Sequence, residues 1–380
     1  MYLSRRRLLS LILVTICLYD VAYVYNYHVL WIAYIEKLCV VVSMCGLMLI
    51  GAFNYRKIAD QETAVKIFFV LLFLISIISL LDIGGEYTKN NIITYFTNKN
   101  AMPLYFMPMA FFIGLSVKSF DVVKKTVLVC LLLSYSFFFF YQIAYGGLVM
   151  QQYYAHIGVS FLALFSLSKK YLLIKRFAFV LLLTSGYIHF MNDNRAQFLL
   201  VLAIITLFIV SVAKYDLIKR IVVIYAFIVI VLFFYDSLDI NSIMSAGFFR
   251  DSRSWIYDEF FNDLSLEEVL TGRGPMGYSY SSYFRKVVDG DFYNRFAVES
   301  GFLTIILKAG AVYLLLVLLI SISSIYKGFL DGVRGWVVNS FYIIVFIAFQ
   351  FIVSFFGYGI MPFIFWYVVG SNMRVLDDDA

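Results

Sequence analysis

Charge is scarce in this chain: Asp, Glu, Lys and Arg make up 14% of its 380 residues. A soluble domain carries about a quarter, and with 63% hydrophobic residues and a mean hydropathy of +0.88 that class is excluded. Proline is scarce too, at 4, so long helices run with few interruptions. The 4 cysteines (Cys17, Cys39, Cys45, Cys130) all lie in apolar stretches. That placement argues against a disulfide framework, and they read as small buried hydrophobes. The histidines His28, His156 and His189 show no metal-ligand spacing. Asp289-Gly290-Asp291 reads better as a turn than as a metal-binding acid pair. No metal and no cofactor is expected. The formal charge of +6 calls for no nucleic-acid partner, because the positive residues sit beside apolar runs.

Long apolar runs are what the chain has in plenty. With 40 Phe and 30 Tyr it suits a lipid-facing surface with aromatic belts at both interfaces. A spanning helix needs about 20 apolar residues. Runs close to that length fall at roughly 8–25, 30–52, 64–81, 101–117, 124–143, 150–167, 174–191, 195–213, 218–235, 299–325, 336–356 and 358–372. The last is short and Gly-interrupted, which leaves a re-entrant segment open. The expected fold is therefore an all-α polytopic membrane protein of about twelve transmembrane helices. Arg5, Arg6 and Arg7 precede the first run, and no small-residue cleavage site follows before Asp20, so this run reads as a retained signal anchor.

Basic residues give the orientation. With the N-terminus inside, the inner segments carry Arg5 to Arg7, then Arg56, Lys57 and Lys66, then Lys118, Lys124 and Lys125. Lys169, Lys170, Lys175 and Arg176 follow, then Lys214, Lys219 and Arg220, then Lys327, Arg334 and Arg374. Every short inner loop is basic, as the positive-inside rule requires. Both termini are expected in the cytoplasm. Three parts follow: membrane helices one to nine over 1–235, a large external loop over 236–299, and membrane helices ten to twelve with a tail over 300–380.

The external loop is the informative part. Trp255, Ile256, Phe260, Phe261 and Leu264 have spacings that can share one helix face, which fits a short amphipathic helix lying on the membrane. Ser265 followed by Glu268 is a capping-box pattern opening a second helix, and Gly272 and Gly274 end it. Arg195 stands at the outer mouth of the eighth span, and Arg250, Arg253, Arg273, Arg285 and Arg295 are in the loop. Guanidinium forks match phosphate oxygens and keep their charge, so such a cluster suits a lipid diphosphate. Ordinary phospholipid headgroups or loop acids are the alternative partners, and Arg285 beside Lys286 looks like a solvated pair.

Glu299 lies where the loop re-enters the membrane. Partial desolvation raises a carboxyl pKa and suits it to general-base work, while an acid in a first helical turn also serves as a cap. Lys308 falls deep in the tenth run, where a charge needs a cavity or a partner; Asp20 and Glu36 are candidates. His189, near the outer end of its span, is a second candidate base or an interhelical hydrogen-bonding residue.

Three stretches resemble a known family: Arg250-Asp-Ser-Arg253-Ser-Trp255, Thr271-Gly272-Arg273-Gly274, and Glu299-Ser-Gly-Phe-Leu303 with Gly310. Together with Arg195 leading Ala-Gln-Phe-Leu-Leu, they resemble the O-antigen polymerase and ligase superfamily, with its Wzy-type polymerases and WaaL-type ligases. The likeness covers the whole chain in layout and Arg250 to Gly310 in motif. It implies metal-independent, inverting glycosyl transfer at the outer face of a bacterial inner membrane. The donor and the acceptor are oligosaccharides on undecaprenyl diphosphate. Arg195, Arg250, Arg253 and Arg273 would bind the diphosphate, with Glu299, Arg253 and Arg195 catalytic and Arg295, His189 and Lys308 secondary. Membrane lipids surround such an enzyme, and a chain-length regulator and a flippase are further partners that the role would involve. Ligases of this family carry His-Asn where Glu299-Ser300 stand here, which favours polymerase over ligase. A lipid-linked oligosaccharide transporter is the alternative from another class. Against it stands the long external loop, because carriers place their polar groups near the midplane on broken helices.

Overall fold

A computed structural model of the chain describes residues 5–25, 32–54, 63–81, 88–116, 123–145, 155–191, 195–212, 254–281, 294–298, 300–330, 334–350 and 357–374. Helices dominate. In chain order they begin with α1 (Arg5–Tyr25), α2 (Ile32–Asn54), α3 (Thr63–Leu81), a short α4 (Lys89–Thr97) and α5 (Pro103–Ser116). Next come α6 (Lys124–Tyr145), α7 (Ala155–Phe161, running into a π turn at Leu162–Ser166), α8 (Leu172–Met191) and α9 (Arg195–Val212). Among the described residues three helical stretches are long and apolar enough to cross a membrane: Ile32–Phe53, Lys169–His189 and Gly301–Leu330. Shorter apolar helices, such as Val65–Ile78 and Gln197–Ile209, pack with them. The fold is thus that of an all-α membrane protein. The run expected at 218–235 and the first part of the loop, 236–253, lie outside the described residues.

Polar contacts tie the helices where lipid cannot. The Cys17 thiol donates to the Cys130 carbonyl at 3.7 Å, and Thr126 Oγ1 donates to Ser10 Oγ at 2.8 Å, fixing α1 against α6. Cys17, Cys39 and Cys130 are buried as expected, whereas Cys45 is exposed on the apolar exterior.

The final helix occupies the centre. α10 to α12 belong to the loop region described below, α13 is Arg334–Phe349, and α14 is Ile360–Asn372, with every residue buried. α14 lies directly against α5: a Cβ on Gly114 would fall 2.1 Å from the Tyr367 carbonyl oxygen, and one on Gly370 2.1 Å from that of Phe111. Only glycine permits that approach. Asn372 Nδ2 donates to the Ser324 carbonyl at 3.2 Å and to Ser340 Oγ at 3.1 Å, joining three helices at the far end. At 1.5 Å per residue α14 is about 20 Å long, short of a hydrocarbon core of about 30 Å. Its N-terminus is capped from a neighbouring helix, where the Asp20 carboxylate of α1 accepts the Ile360 N–H at 3.3 Å.

That cap corrects the pairing expected of Asp20 with Lys308: the carboxylate serves the helix terminus. Exposed apolar side chains such as Leu38, Phe73, Leu173 and Leu315 form the outside of the bundle, the surface that hydrocarbon would cover.

Candidate functional site

The loop segment folds because its local signals agree. α10 (Ser254–Asp263) buries Ile256, Phe260 and then Leu264, which recur every fourth residue, while Phe261 is exposed. The apolar face is narrower than the spacing alone suggests, and the Trp255 side chain lies outside the described residues. Nor is this face left for the membrane: it packs on Val298, Leu303, Ile306 and Leu307 of the same chain. α11 (Leu266–Thr271) opens on the expected capping box. Ser265 Oγ accepts the Glu268 N–H at 3.2 Å, and Glu268 Oε2 accepts the Ser265 N–H at 2.8 Å. Gly272 closes the helix at φ 80°, a backbone that a side chain resists.

The helix that receives this segment is α12 (Gly301–Leu330), and it is broken: Gly310 sits at φ 81°, ψ 165°. The leg 301–309 therefore ends there, and 311–330 continues for about 30 Å at 1.5 Å per residue. A break frees carbonyls that the next turn would have bonded. The Arg273 N–H takes the Leu307 carbonyl at 2.7 Å, and the Tyr105 hydroxyl takes that of Lys308 at 2.7 Å. The two glycines make room for each other's chain. A Cβ on Gly310 would lie 2.1 Å from the Leu270 carbonyl oxygen, and one on Gly272 would lie 2.8 Å from the backbone of 308–310.

Lys308 is placed by this break. Instead of lying within a continuous span, it stands two residues before the kink and fully buried. Its ammonium donates to the Gly277 carbonyl and rests 3.3 Å from the centre of the Phe296 ring. A cation over an aromatic face is stabilised by the ring quadrupole. A short antiparallel ladder, β1 (Ser279–Tyr280) with β2 (Asn294–Arg295), brings Phe296 to that place. Arg295, half-buried, pairs with Ser279 in the ladder. Beyond it, Ser300 Oγ and the Gly301 N–H both donate to the Gln350 carbonyl, at 3.1 and 2.8 Å, fastening the re-entry point to the end of α13.

Arg273 departs from expectation. All five of its guanidinium N–H groups are used inside the loop. Nε donates to Glu268 at 2.9 Å, Nη1 to Asp263 and to the Tyr278 carbonyl, and Nη2 to the Asp263 carbonyl at 2.7 Å and to Glu268 at 3.2 Å. A guanidinium has no further donors, so a diphosphate role for Arg273 would require breaking these bonds. Its geometry is that of a staple. The Arg273 hydrogen bond holds the Glu268 carboxyl down at about 2, and the Glu268 carboxylate in turn raises Arg273.

Beside the staple is an open depression of about 460 Å³, lined by Glu267, Glu268, Thr271, Gly272, Arg273, Gly277 and Tyr278. With its guanidinium committed and two carboxylates present, this surface does not favour an anion.

The other expected site residues divide as follows. Arg250, Arg253 and Glu299 lie outside the described residues. Arg195 is the first residue of α9, so the backbone places it at the α8–α9 turn. His189, in the last turn of α8, stacks on His156 of α7 with ring centroids 5.9 Å apart and planes at 16°. Sequence reasoning had not paired these two histidines, and no local spacing could have done so. It also missed Asp263, Tyr105, Phe296 and Gln350, which act through contacts distant in sequence. Comparison with protein-family models, with curated proteins and with solved structures finds no match to this chain.

Proposed function

We propose that this chain is a polysaccharide polymerase of a bacterial inner membrane, with about twelve spans, both termini cytoplasmic and the 236–299 loop at the outer face. Its substrates are oligosaccharide repeat units on undecaprenyl diphosphate, as donor and as acceptor. The acceptor sugar's hydroxyl oxygen attacks the donor's anomeric carbon with inversion. The bond to the diphosphate breaks, undecaprenyl diphosphate leaves with the electron pair, and Glu299 takes the hydroxyl proton. Arg195, Arg250 and Arg253 stabilise the negative charge that grows on the leaving group, the kind of preorganised electrostatics that contributes most to such catalysis. Arg273 holds the loop.

One observation carries the reading. Two of the motif stretches that resemble the polymerase and ligase superfamily, Thr271 to Gly274 and Glu299 to Leu303 with Gly310, meet through the Gly272–Gly310 contact, and the Arg273 N–H bond to the Leu307 carbonyl lies beside it. A motif scattered by chance has no reason to converge. Surface polysaccharide from cells lacking the protein tests the proposal on a gel. Loss of the long ladder, with a single repeat unit still on its usual acceptor, is expected. An unchanged ladder contradicts the proposal.

A further inference from the structure

The seam between α7 and α8 is polar where a membrane interior should be dry. His156 and Ser160 are one helical turn apart on α7, and Ser185 and His189 one turn apart on α8. The stacked histidines mark the level of the upper pair. The two helices run in opposite directions, so Ser160 and Ser185 follow one turn below. All four side chains are buried: His156 4%, Ser160 0%, Ser185 1% and His189 1% exposed.

Serines in other helices of the bundle return their hydroxyl to the carbonyl four residues back, as Ser43, Ser76 and Ser321 do. That local bond is how a helix ordinarily satisfies a buried serine. Ser160 Oγ, Ser185 Oγ and both ring nitrogens of His189 instead have no hydrogen-bond partner among the described residues. A buried polar group left so is costly, and these face one seam.

The histidine end of the seam lies at the level of the loop's re-entry point. Phe161 of α7 and Tyr342 of α13 pack with ring centroids 4.1 Å apart. From that level His156 is about 7.5 Å up α7 and Gln350 about 12 Å up α13, at 1.5 Å per residue. Gln350 is the residue to which Ser300 and Gly301 are fastened. The histidines thus lie within about 5 Å in depth of the loop's re-entry point, with Arg195 starting the neighbouring helix.

We infer that this seam is a hydrated binding site that opens at the loop-bearing end of the bundle and receives a neutral, hydroxyl-rich ligand, in the proposed reaction the acceptor sugar. The chemistry selects the class. Imidazole and hydroxyl groups both donate and accept, as sugar hydroxyls and water do. The four side chains carry no fixed charge, so a diphosphate would find no counter-ion among them. This assignment rests on the polymerase reading for the identity of the sugar, but not for the hydration of the seam.

The test separates the two. In the full chain with Cys17, Cys39, Cys45 and Cys130 replaced by serine, Ser185→Cys and Leu183→Cys are compared in intact cells. The reagent is a small, charged, membrane-impermeant methanethiosulfonate. Leu183 is exposed on the lipid side of the same helix, and a thiolate forms only where water reaches. Ser185→Cys should react about tenfold faster or more; equal rates overturn the site. His189→Phe, which fills the seam with an apolar ring, should lose long polymer, and His189→Gln, which keeps hydrogen-bonding atoms, should lose less of it. Normal polymer from His189→Phe overturns the sugar assignment. If deletion of the protein leaves the ladder unchanged, the polymerase reading and the sugar assignment fail together, and the labelling result then decides only the hydration.

Discussion

Replacing Gly310 by alanine should release the loop from α12. The residue sits at φ 81°, ψ 165°, a region that is essentially glycine's alone and costs other residues about 1–3 kcal/mol. The new Cβ would also meet the Leu270 carbonyl oxygen at 2.1 Å, against the roughly 3.5 Å at which such atoms rest. Leu270 and the backbone after it must therefore retreat by more than about 1 Å. Retreat of that size pulls the Arg273 N–H away from the Leu307 carbonyl and lifts Gly277 from the Lys308 ammonium. An added strain of about 1–3 kcal/mol multiplies local opening about 5- to 150-fold. Hydrogen–deuterium exchange on the purified protein in nanodiscs reads this directly. Peptides spanning 266–277 should exchange faster by such a factor while α1 and α14 stay protected. Unchanged exchange across 266–277 would refute the claim that Gly310 seats the loop.

Other outcomes follow from these contacts and from the proposed chemistry. Arg273→Ala leaves Asp263 and Glu268 without their cation, and at this partly exposed site it should loosen the loop by about 1–2 kcal/mol, seen as faster proteolysis within 254–281. Glu268 is held at about 2 by Arg273. Its folded pKa is depressed, so its contribution is complete above the unfolded carboxyl value and is lost as pH falls toward about 2. Loop protection should accordingly be constant from about pH 8 to pH 5 and decline only in strong acid; a midpoint near neutrality would contradict the pairing. Lys308→Met keeps the apolar cover over Phe296 but leaves the Gly277 carbonyl without its donor, at a cost of about 1–3 kcal/mol, and polymer yield should fall while membrane insertion does not. Arg195→Ala and Arg253→Ala should each abolish long polymer with the protein still inserted, and Glu299→Gln should do the same if Glu299 is the base.

Local signals were legible in the sequence, and distant pairings were not. Ser265 and Glu268 announced a helix start, and Gly272 its end, because a capping box and a C-terminal glycine act within one turn. The apolar runs placed α1 to α3, α5 to α9 and α14 within a few residues, since each is continuous along the chain, whereas the run 336–356 extends beyond α13, which ends at Phe349. The face of α10 was only partly legible: spacing grouped Phe261 with Phe260, but which side a ring takes depends on what α12 presents. Lys308 looked like a charge in mid-span because hydropathy averages over Gly310 and does not register a break. Arg273 looked like a phosphate ligand because nothing near it in sequence shows that Asp263 and Glu268 would fold around its fork. The stacking of His156 on His189 needed two helices to be set side by side, which no window of sequence contains.

Reconstitution tests the central claim most directly. Purified protein in nanodiscs is given undecaprenyl-diphosphate-linked repeat units, with a metal chelator present, and the glycans are resolved on a gel. Chains of increasing length should appear together with free undecaprenyl diphosphate, and Arg253→Ala should yield neither. Repeat units that remain unlinked in the presence of the intact protein would contradict the account.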